Sequence, residues 1–254
     1  TNPNGPKHLI NPNLYLGTCV DGEVNGQPEA MAGAMTGGDD NNSTLAVEGT
    51  CATGDDENGI VLFETPLVPG YTACIRVTAH NTLGVNAVLQ GWIDFNGNGT
   101  FEAGEQLTTG NFAPSGAVIP NGGVSNQQMC FEVPAGATFN GGQAMARFRL
   151  SPTGGLAPTG PAAGPFPIGE VEDYKVAVAK IGTYVWNDNN NDGLQNEPGT
   201  NGLNGITVQL VWGGPDGDIA TTNDNRVYTT TTAAMGGNNG QYMFWGLIPG
   251  AYKV

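Results

Sequence analysis

Glycine and proline recur along this chain so often that a helix of ordinary length has almost nowhere to form. There are 41 glycines and 17 prolines among 254 residues, about 23% of the chain. The only alanine- and methionine-rich stretch, PEAMAGAMTGG, is itself interrupted by these helix breakers. The segments between them are short and rich in β-branched and aromatic residues. The sequence therefore predicts an all-β protein with little helix, long enough for two tandem β-sandwich domains.

The charge of the chain excludes one large class of function. Eight Lys and Arg against 23 Asp and Glu give a formal net charge of −15. A nucleic-acid-binding protein needs a basic face for the phosphates, so we expect no nucleic-acid partner. An acidic surface attracts cations instead.

The four cysteines predict disulfide bonds. They form no CxxC pair and have no histidine nearby at zinc-ligand spacing, so two disulfides in an oxidising compartment are favoured over a zinc site. Cys74 and Cys130 each lie in an alternating strand, on the face opposite the apolar residues. We expect Cys74 to pair with Cys130, and Cys19 with Cys51.

Two further features favour export. No stretch of 18 or more apolar residues spans a membrane, and Thr1 begins without a charged and apolar leader. We therefore expect a mature secreted, extracellular or cell-surface protein with no transmembrane segment.

The stretch DFNGNGTFEAGE, which we call loop 1 (residues 94–105), follows an apolar strand and places an oxygen-bearing residue at alternate positions. A twelve-residue calcium loop uses oxygens from positions 1, 3, 5, 7, 9 and 12, with glycine at position 6. Every position fits, with Gly99 at the turn, although an Asn-Gly hairpin turn is an alternative. The predicted ligands are Asp94, Asn96, Asn98, the carbonyl of Thr100, Glu102 and Glu105.

A second stretch, DNNNDGLQNE (loop 2, residues 188–197), follows another strand and repeats much of this pattern. Its position 12 is Gly199, and the nearest carboxylate, Glu197, comes two residues early. Either Glu197 reaches the ion through a shorter loop or a distant residue completes the shell, and a solvated turn is again the alternative. The predicted ligands are Asp188, Asn190, Asp192, the carbonyl of Leu194 and Glu197, with Asn196 at position 9.

A third acidic stretch, GPDGDIATTNDN, has a less specific spacing. Asp216, Asp218 and Asp224 could hold an ion together. Ca²⁺ is the only cofactor that the sequence predicts.

Longer motifs carry two family resemblances. The pieces DDENGI, GWIDFNGNGTF, ARFRLS and GEVEDY occur in the order found in GEVED domains, and Gly169–Asp173 spell the naming motif. The last third, from IGTYVWNDNNNDGLQNE to GLIPGAYKV, resembles the B repeats of serine-aspartate-repeat surface adhesins, which are prealbumin-like sandwiches related to collagen-adhesin B domains. Both resemblances imply modular secreted or cell-surface bacterial proteins. The second implies calcium at Asp188, Asn190 and Asp192.

The GEVED motif itself raises a question of burial. Strand alternation from Tyr174 places Glu170 and Glu172 on the side of the apolar residues, where a carboxylate needs a partner. We expect Arg147 or Arg149 to form an internal ion pair with them, and a metal or ligand site is the alternative.

Catalysis is not expected. The chain has no GxSxG, HExxH or P-loop motif, and its two histidines, His8 and His80, lie in a terminal stretch and at the end of a strand. Glu102 and Glu105 resemble a glycosidase pair only superficially, because an ion explains their spacing better.

These observations predict an N-terminal arm (residues 1–14), a larger jelly-roll-like or Ig-like GEVED sandwich (15–179) and a smaller prealbumin-like sandwich (180–254). We expect the last of these to be truncated at its C-terminus, because the B-repeat resemblance implies a final strand after GAYKV. The predicted function is a calcium-stabilised structural module of a bacterial surface or fibre protein, a stiff spacer and assembly unit. Its partners would be neighbouring modules of a longer chain, or identical subunits whose sheet a terminal strand completes. The alternative is an adhesin whose loops bind a polysaccharide or a host or environmental ligand. Its sugar-stacking candidates would be Trp92, Trp186, Trp212 and Trp245 if they were exposed.

Overall fold

The computed structural model describes residues 8–20, 59–61, 66–139, 142–159 and 167–254. Within these residues the regular structure consists of fourteen β-strands and three single-turn 3-10 helices, so the all-β prediction is confirmed. The chain divides into two compact units, Thr1–Val178 and Ala179–Val254. No helix in the described ranges is long and apolar enough to cross a membrane.

The first unit contains two four-stranded antiparallel sheets. In one, β3 pairs with β1, β2 and β6; in the other, the order is β5-β4-β7-β8. Two 3-10 turns, Ala103–Glu105 and Gly110–Phe112, lie between β4 and β5. The strands are β1 (Leu14–Leu16), β2 (Ile60–Val61), β3 (Thr72–Asn81), β4 (Ala87–Ile93), β5 (Ala117–Ile119), β6 (Val124–Glu132), β7 (Gln143–Ser151) and β8 (Glu170–Ala177).

Alternation builds the core of the first unit. Every second residue of β3, from Ala73 to Ala79, is buried and its neighbours are partly exposed, as expected for a strand with one face on a core. The ring of Phe112 lies 6.1 Å from that of Phe131 in one sheet and 6.4 Å from that of Phe148 in the other. The two sheets therefore pack face to face as a sandwich.

A disulfide bond joins β3 to β6. Cys74 and Cys130 lie directly opposite each other in the antiparallel register, and their Cα atoms are 4.0 Å apart. This confirms the predicted pair. Cys19 is also disulfide-bonded, whereas Cys51 lies outside the described residues.

The described part of the predicted N-terminal arm packs on its own chain. Leu9 forms a parallel bridge with Ile168, and its N–H donates to the carbonyl of Pro167 at 2.8 Å. Arg149 Nε donates to His8 Nε2 at 3.0 Å. Burial and the Arg149 charge lower the pKa of His8 to about 3, so this imidazole is a neutral acceptor.

The second unit contains two three-stranded antiparallel sheets, ordered β11-β10-β14 and β12-β13-β9. Its core is formed by Val208, Leu210, Tyr242, Phe244 and Leu247, and its 3-10 turn is Gly199–Asn201. The strands are β9 (Lys180–Tyr184), β10 (Thr207–Trp212), β11 (Arg226–Thr231), β12 (Ala233–Met235), β13 (Asn238–Trp245) and β14 (Tyr252–Lys253).

Candidate calcium loops

Loop 1 begins immediately after β4 and is folded around the side chain of Asp94, which is buried. Asp94 Oδ1 accepts the N–H of Gly97 at 2.6 Å and that of Asn98 at 3.1 Å, and Oδ2 accepts the N–H of Gly99 at 2.8 Å. Gly97 and Gly99 have φ of 70° and 81°, a region that favours glycine. The N-G-N-G sequence is thus what allows the backbone to curl around the first carboxylate.

Glu102 gathers the polar side chains of the same loop. Its carboxylate accepts Asn96 Nδ2 at 3.1 Å, Asn98 Nδ2 at 2.6 Å and Thr100 Oγ1 at 2.8 Å. These bonds, led by the one from Asn98, lower the pKa of Glu102 to about 2. Glu102 is therefore a carboxylate at every physiological pH.

Glu105 closes the loop from its far end. Its Oε1 accepts the N–H of Asn96 at 3.3 Å and its Oε2 accepts the N–H of Glu102 at 3.0 Å. The side chain is buried, and this burial raises the pKa of Glu105 to about 7, with the nearby Glu102 carboxylate adding to the rise. A second negative charge is thus held beside the first with too little positive charge to balance it.

Loop 2 is folded around Asp188 in the same way. Asp188 Oδ1 accepts the N–H of Asp192 at 3.2 Å, and Oδ2 accepts the N–H of Gly193 at 2.9 Å. Asn190 Oδ1 also accepts the N–H of Asp192, at 3.0 Å, and Asp192 Oδ1 accepts that of Leu194 at 2.8 Å. The bond from Leu194 is the main reason why the pKa of Asp192 is lowered.

Glu197 occupies in loop 2 the role that Glu105 has in loop 1. Its Oε1 accepts the N–H of Asn189 at 3.2 Å, so the carboxylate does turn back to the start of the loop despite its early position. Its Oε2 is buried, and no residue of the described chain donates a hydrogen bond to it. A buried carboxylate oxygen without a donor is costly unless a cation is present.

The two loops share one hydrogen-bonding scheme. In each, the position-1 aspartate accepts the N–H groups of positions 5 and 6, the position-3 oxygen accepts the N–H of position 5, and the position-5 oxygen accepts the N–H of position 7. A distal glutamate returns to the second or third residue. Oxygens converge on a short stretch of backbone in both domains, although their surrounding sheets differ.

The third acidic stretch is organised differently. Asp216 Oδ1 accepts the N–H of Asp218 at 2.9 Å, and Asp218 Oδ1 accepts the N–H of Ala220 at 2.9 Å. Asp224 lies instead against Gly214, where an added Cβ would stand 2.4 Å from its carboxyl group. The structure therefore joins Asp216 and Asp218 in consecutive turns and places the Asp224 carboxyl group against Gly214, two residues before Asp216.

The chemistry of the donor sets matches a hard cation. Loops 1 and 2 offer carboxylate and amide oxygens, which are the ligands that Ca²⁺ prefers, and several of these oxygens accept only one hydrogen bond and keep a second lone pair. In the part of the chain that the structure describes, no three His, Cys, Asp or Glu side chains form a metal cluster by themselves. An ion in either loop would therefore also need the Asn oxygens and backbone carbonyls.

The glutamates of the GEVED motif face the core, as predicted, with Glu170 and Glu172 buried. The prediction that Arg147 or Arg149 forms an ion pair with them was wrong. Glu170 accepts the backbone N–H of Leu16, and Glu172 Oε1 accepts that of Gly59 at 2.9 Å. Tyr174 OH donates to Glu172 Oε2 at 2.9 Å and accepts the N–H of Ile60 at 3.1 Å.

The register of β7 against β8 explains this error. Phe148 lies opposite Glu172, whereas Arg147 lies opposite Asp173, so both arginines point to the outer face of the sheet. Arg147 forms a salt bridge with Asp173 there. The inward carboxylates instead accept the backbone N–H groups of Leu16 in β1 and of Gly59 just before β2, and so link the two sheets.

The tryptophans differ in exposure. Trp92 and Trp212 are buried, whereas Trp186 and Trp245 are only partly buried. Lys180 Nζ lies 5.3 Å from the centroid of the Trp245 ring. The rings of Tyr184 and Trp186 are 5.6 Å apart, just before loop 2.

Two tandem β-sandwich units, each with an acidic loop shortly after a strand, define a modular all-β protein. Residues 88–177 match the family model of the GEVED domain. Residues 179–254 match that of the SdrD B-like domain. The chain therefore contains a GEVED domain followed by an SdrD B-like domain, as the motifs predicted, and these are adhesin-type structural modules outside the known enzyme families. No curated protein matches the chain.

Proposed function

We propose that this protein is a calcium-stabilised extracellular structural module of a bacterial surface or fibre protein, acting as a stiff spacer and assembly unit. The observation that supports it most is the shared hydrogen-bonding scheme of loops 1 and 2. Both gather carboxylates that form no salt bridge with an arginine or lysine within the described residues. The residues that would hold the ions are Asp94, Asn96, Asn98, Thr100, Glu102 and Glu105 in loop 1, and Asp188, Asn190, Asp192, Leu194 and Glu197 in loop 2.

Calcium would supply the positive charge that these loops lack. Without it, Glu102 and Glu105 repel each other, and Glu197 keeps a buried oxygen without a donor. Binding to the folded state alone stabilises that state by mass action. The loops would therefore be held in their folded geometry outside the cell, where the concentration of calcium is high.

The spacer role rests on the joining of the two domains. Only residue 178 separates the two family matches, and the sequence around it, DYKVAVAKIG, has no run of glycine, serine or proline that would make a flexible linker. Modules of this adhesin type neighbour other modules in longer chains. Their function would be mechanical, with paired strands and bound ions resisting extension.

Calcium titration tests the proposal. Chelator-stripped protein would be titrated with calcium chloride by isothermal calorimetry, alongside Asp94→Ala, Asp188→Ala and the double variant. We expect each single substitution to remove one binding component and the double variant to lose both. Glu132→Ala is the control, because Glu132 is an exposed acid outside the loops, and its titration should equal that of the wild type. An absence of calcium-dependent heat at several temperatures would overturn the proposal.

A polysaccharide-binding adhesin is the second candidate, and one observation favours it. Tyr184 and Trp186 are partly exposed and adjacent, and the Asn-rich loop 2 follows directly. Aromatic rings beside amide groups are the usual means of sugar recognition. Retention of the protein on insoluble polysaccharides, and its loss in Trp186→Ala, would support this function.

A further inference from the structure

Loop 1 has an anchor that loop 2 lacks. Phe101, at position 8, lies between Thr100 and Glu102, and its ring centroid is 5.1 Å from the guanidinium carbon of Arg147. We propose that the Arg147–Asp173 pair positions the calcium ligands of loop 1 by holding the Phe101 ring. This inference rests on the proposed calcium function, and it gives the last residue of the GEVED motif a role in ion binding.

The Arg147 side chain is fixed in place, so it can hold the Phe101 ring. It is buried, and it lies directly opposite Asp173 in the β7–β8 register. Its Nε donates to Asp173 Oδ1 at 2.6 Å, its Nη2 forms a salt bridge with Oδ2, and its Nη1 donates to the carbonyl of Pro158 at 2.8 Å. All these bonds use the edge of the planar guanidinium, which leaves its face for an aromatic ring.

The place of Phe101 in loop 1 makes this contact relevant to the ion. Thr100 supplies the carbonyl expected at position 7, and Glu102 is the carboxylate on which the Asn96, Asn98 and Thr100 side chains converge. Asn98 to Thr100 are exposed, and their hydrogen bonds are made within loop 1 itself, whereas the Phe101 contact ties the loop to β7. Fixing Phe101 therefore fixes the two ligand-bearing residues on either side of it.

Loop 2 offers a natural comparison within the same chain. Its position 8 is Gln195, an exposed polar residue, and the loop ends early at Glu197. A change at the Arg147–Asp173 pair should therefore alter the calcium affinity of loop 1 and leave that of loop 2 unchanged. This difference separates positioning from a general loss of stability.

The experiment measures the two loops separately. Calcium affinity of loop 1 is measured by calorimetry in an Asp188→Ala background, and that of loop 2 in an Asp94→Ala background, each with and without Phe101→Leu or Asp173→Asn. Loss of one cation–π contact predicts a roughly three- to thirtyfold weaker loop 1 affinity. Phe101→Tyr, which keeps the ring, should restore most of it. The melting temperature of each calcium-free variant is recorded in parallel.

Three results are decisive. A weaker affinity at loop 1, with an unchanged affinity at loop 2 and rescue by Phe101→Tyr, supports the proposal. A lower calcium-free melting temperature with unchanged loop 1 affinity means that the pair is only structural and overturns it. If the Asp188→Ala parent binds no calcium at all, the proposed function of loop 1 fails, and the inference fails with it. Should Asp173→Asn not fold, Phe101→Leu decides, because Phe101 is only partly buried.

Discussion

Glu105 accepts the backbone N–H of Glu102 at 3.0 Å, which brings the two glutamates of loop 1 together at the ends of one short turn. Glu102 accepts donors from three side chains, whereas Glu105 is buried away from water. Their pKa values consequently move in opposite directions, to about 2 and to about 7. This asymmetry makes the calcium-free protein sensitive to pH near neutrality.

The first prediction concerns that sensitivity. The folded state binds a proton at Glu105 more readily than the unfolded chain does, so this group stabilises the calcium-free fold below about pH 4.5, and the stabilisation is lost as pH rises towards 7. Because solvent screens part of this shift, we expect an effect of about 1–2 kcal/mol. Urea unfolding in chelator across this range should show a steeper loss of stability in the wild type than in Glu105→Gln.

In calcium, stability should instead increase as the pH rises, because the ion binds the ionised carboxylate and competes with the proton. Glu102 does not interfere in this window, since its contribution changes only below pH 4.5. Parallel curves for the wild type and Glu105→Gln in chelator would contradict the assignment.

The second prediction concerns the hydrogen bonds by which Glu172 and Tyr174 link β8 to the segment around β2. Tyr174→Phe removes the hydroxyl that accepts the N–H of Ile60 and donates to Glu172, so the Ile60 N–H and the Glu172 carboxylate each lose one hydrogen bond. We expect a loss of about 1–3 kcal/mol in the free energy of unfolding of the first unit. Chemical denaturation measures it.

Glu172→Gln tests the same hydrogen bonds from the other side. Glu172 is 1% exposed and accepts hydrogen bonds from the Gly59 N–H and the Tyr174 hydroxyl, so its loss of charge should also destabilise the first unit. Glu132→Gln is the matched control, because the exposed Glu132 accepts only the Thr72 hydroxyl in the described structure, and it should change the stability by less than about 0.5 kcal/mol. Equal effects of Glu172→Gln and Glu132→Gln would mean that the motif glutamates do not join the sheets.

The inward direction of the motif glutamates could be predicted, but their partners could not. Alternation from Tyr174 is a local property of one strand, and it correctly predicted that Glu170 and Glu172 are buried. Their partners, the N–H groups of Leu16 and Gly59, are more than one hundred residues away in sequence. The arginines could have been excluded as partners, because they alternate with apolar residues along β7 and so lie on its other face. The β7–β8 register agrees with that alternation.

The conformation of loops 1 and 2, in contrast, depends on interactions between residues that are close in sequence. A position-1 aspartate that binds N–H groups four and five residues later is a local arrangement, and the glycines that permit it stand beside it in the sequence. The contact made by Phe101 could not be predicted in this way, because it is not local in sequence. Its contact with Arg147 joins a loop to a strand about 45 residues later, and nothing in DFNGNGTFEAGE indicates it.

The third prediction concerns the confirmed disulfide. The bond closes a segment of 56 residues between β3 and β6, so removing it increases the entropy of the unfolded chain. The double variant Cys74→Ala/Cys130→Ala should lose about 2–4 kcal/mol of stability in the first unit. The second unit, which contains neither cysteine, serves as the internal control in the same denaturation experiment. A variant as stable as the wild type would show that the hydrogen-bonded β3–β6 pair is sufficient by itself.

Differential scanning calorimetry shows whether calcium stabilises both domains through separate loops. The two compact units should unfold in two transitions, each lowered by about 5–20 °C when chelator replaces calcium at a hundredfold excess over Kd. Asp94→Ala should abolish the calcium shift of the first unit alone, and Asp188→Ala that of the second alone. If chelator moves neither transition, the two loops are ordinary turns and the proposed stabilisation by calcium is wrong.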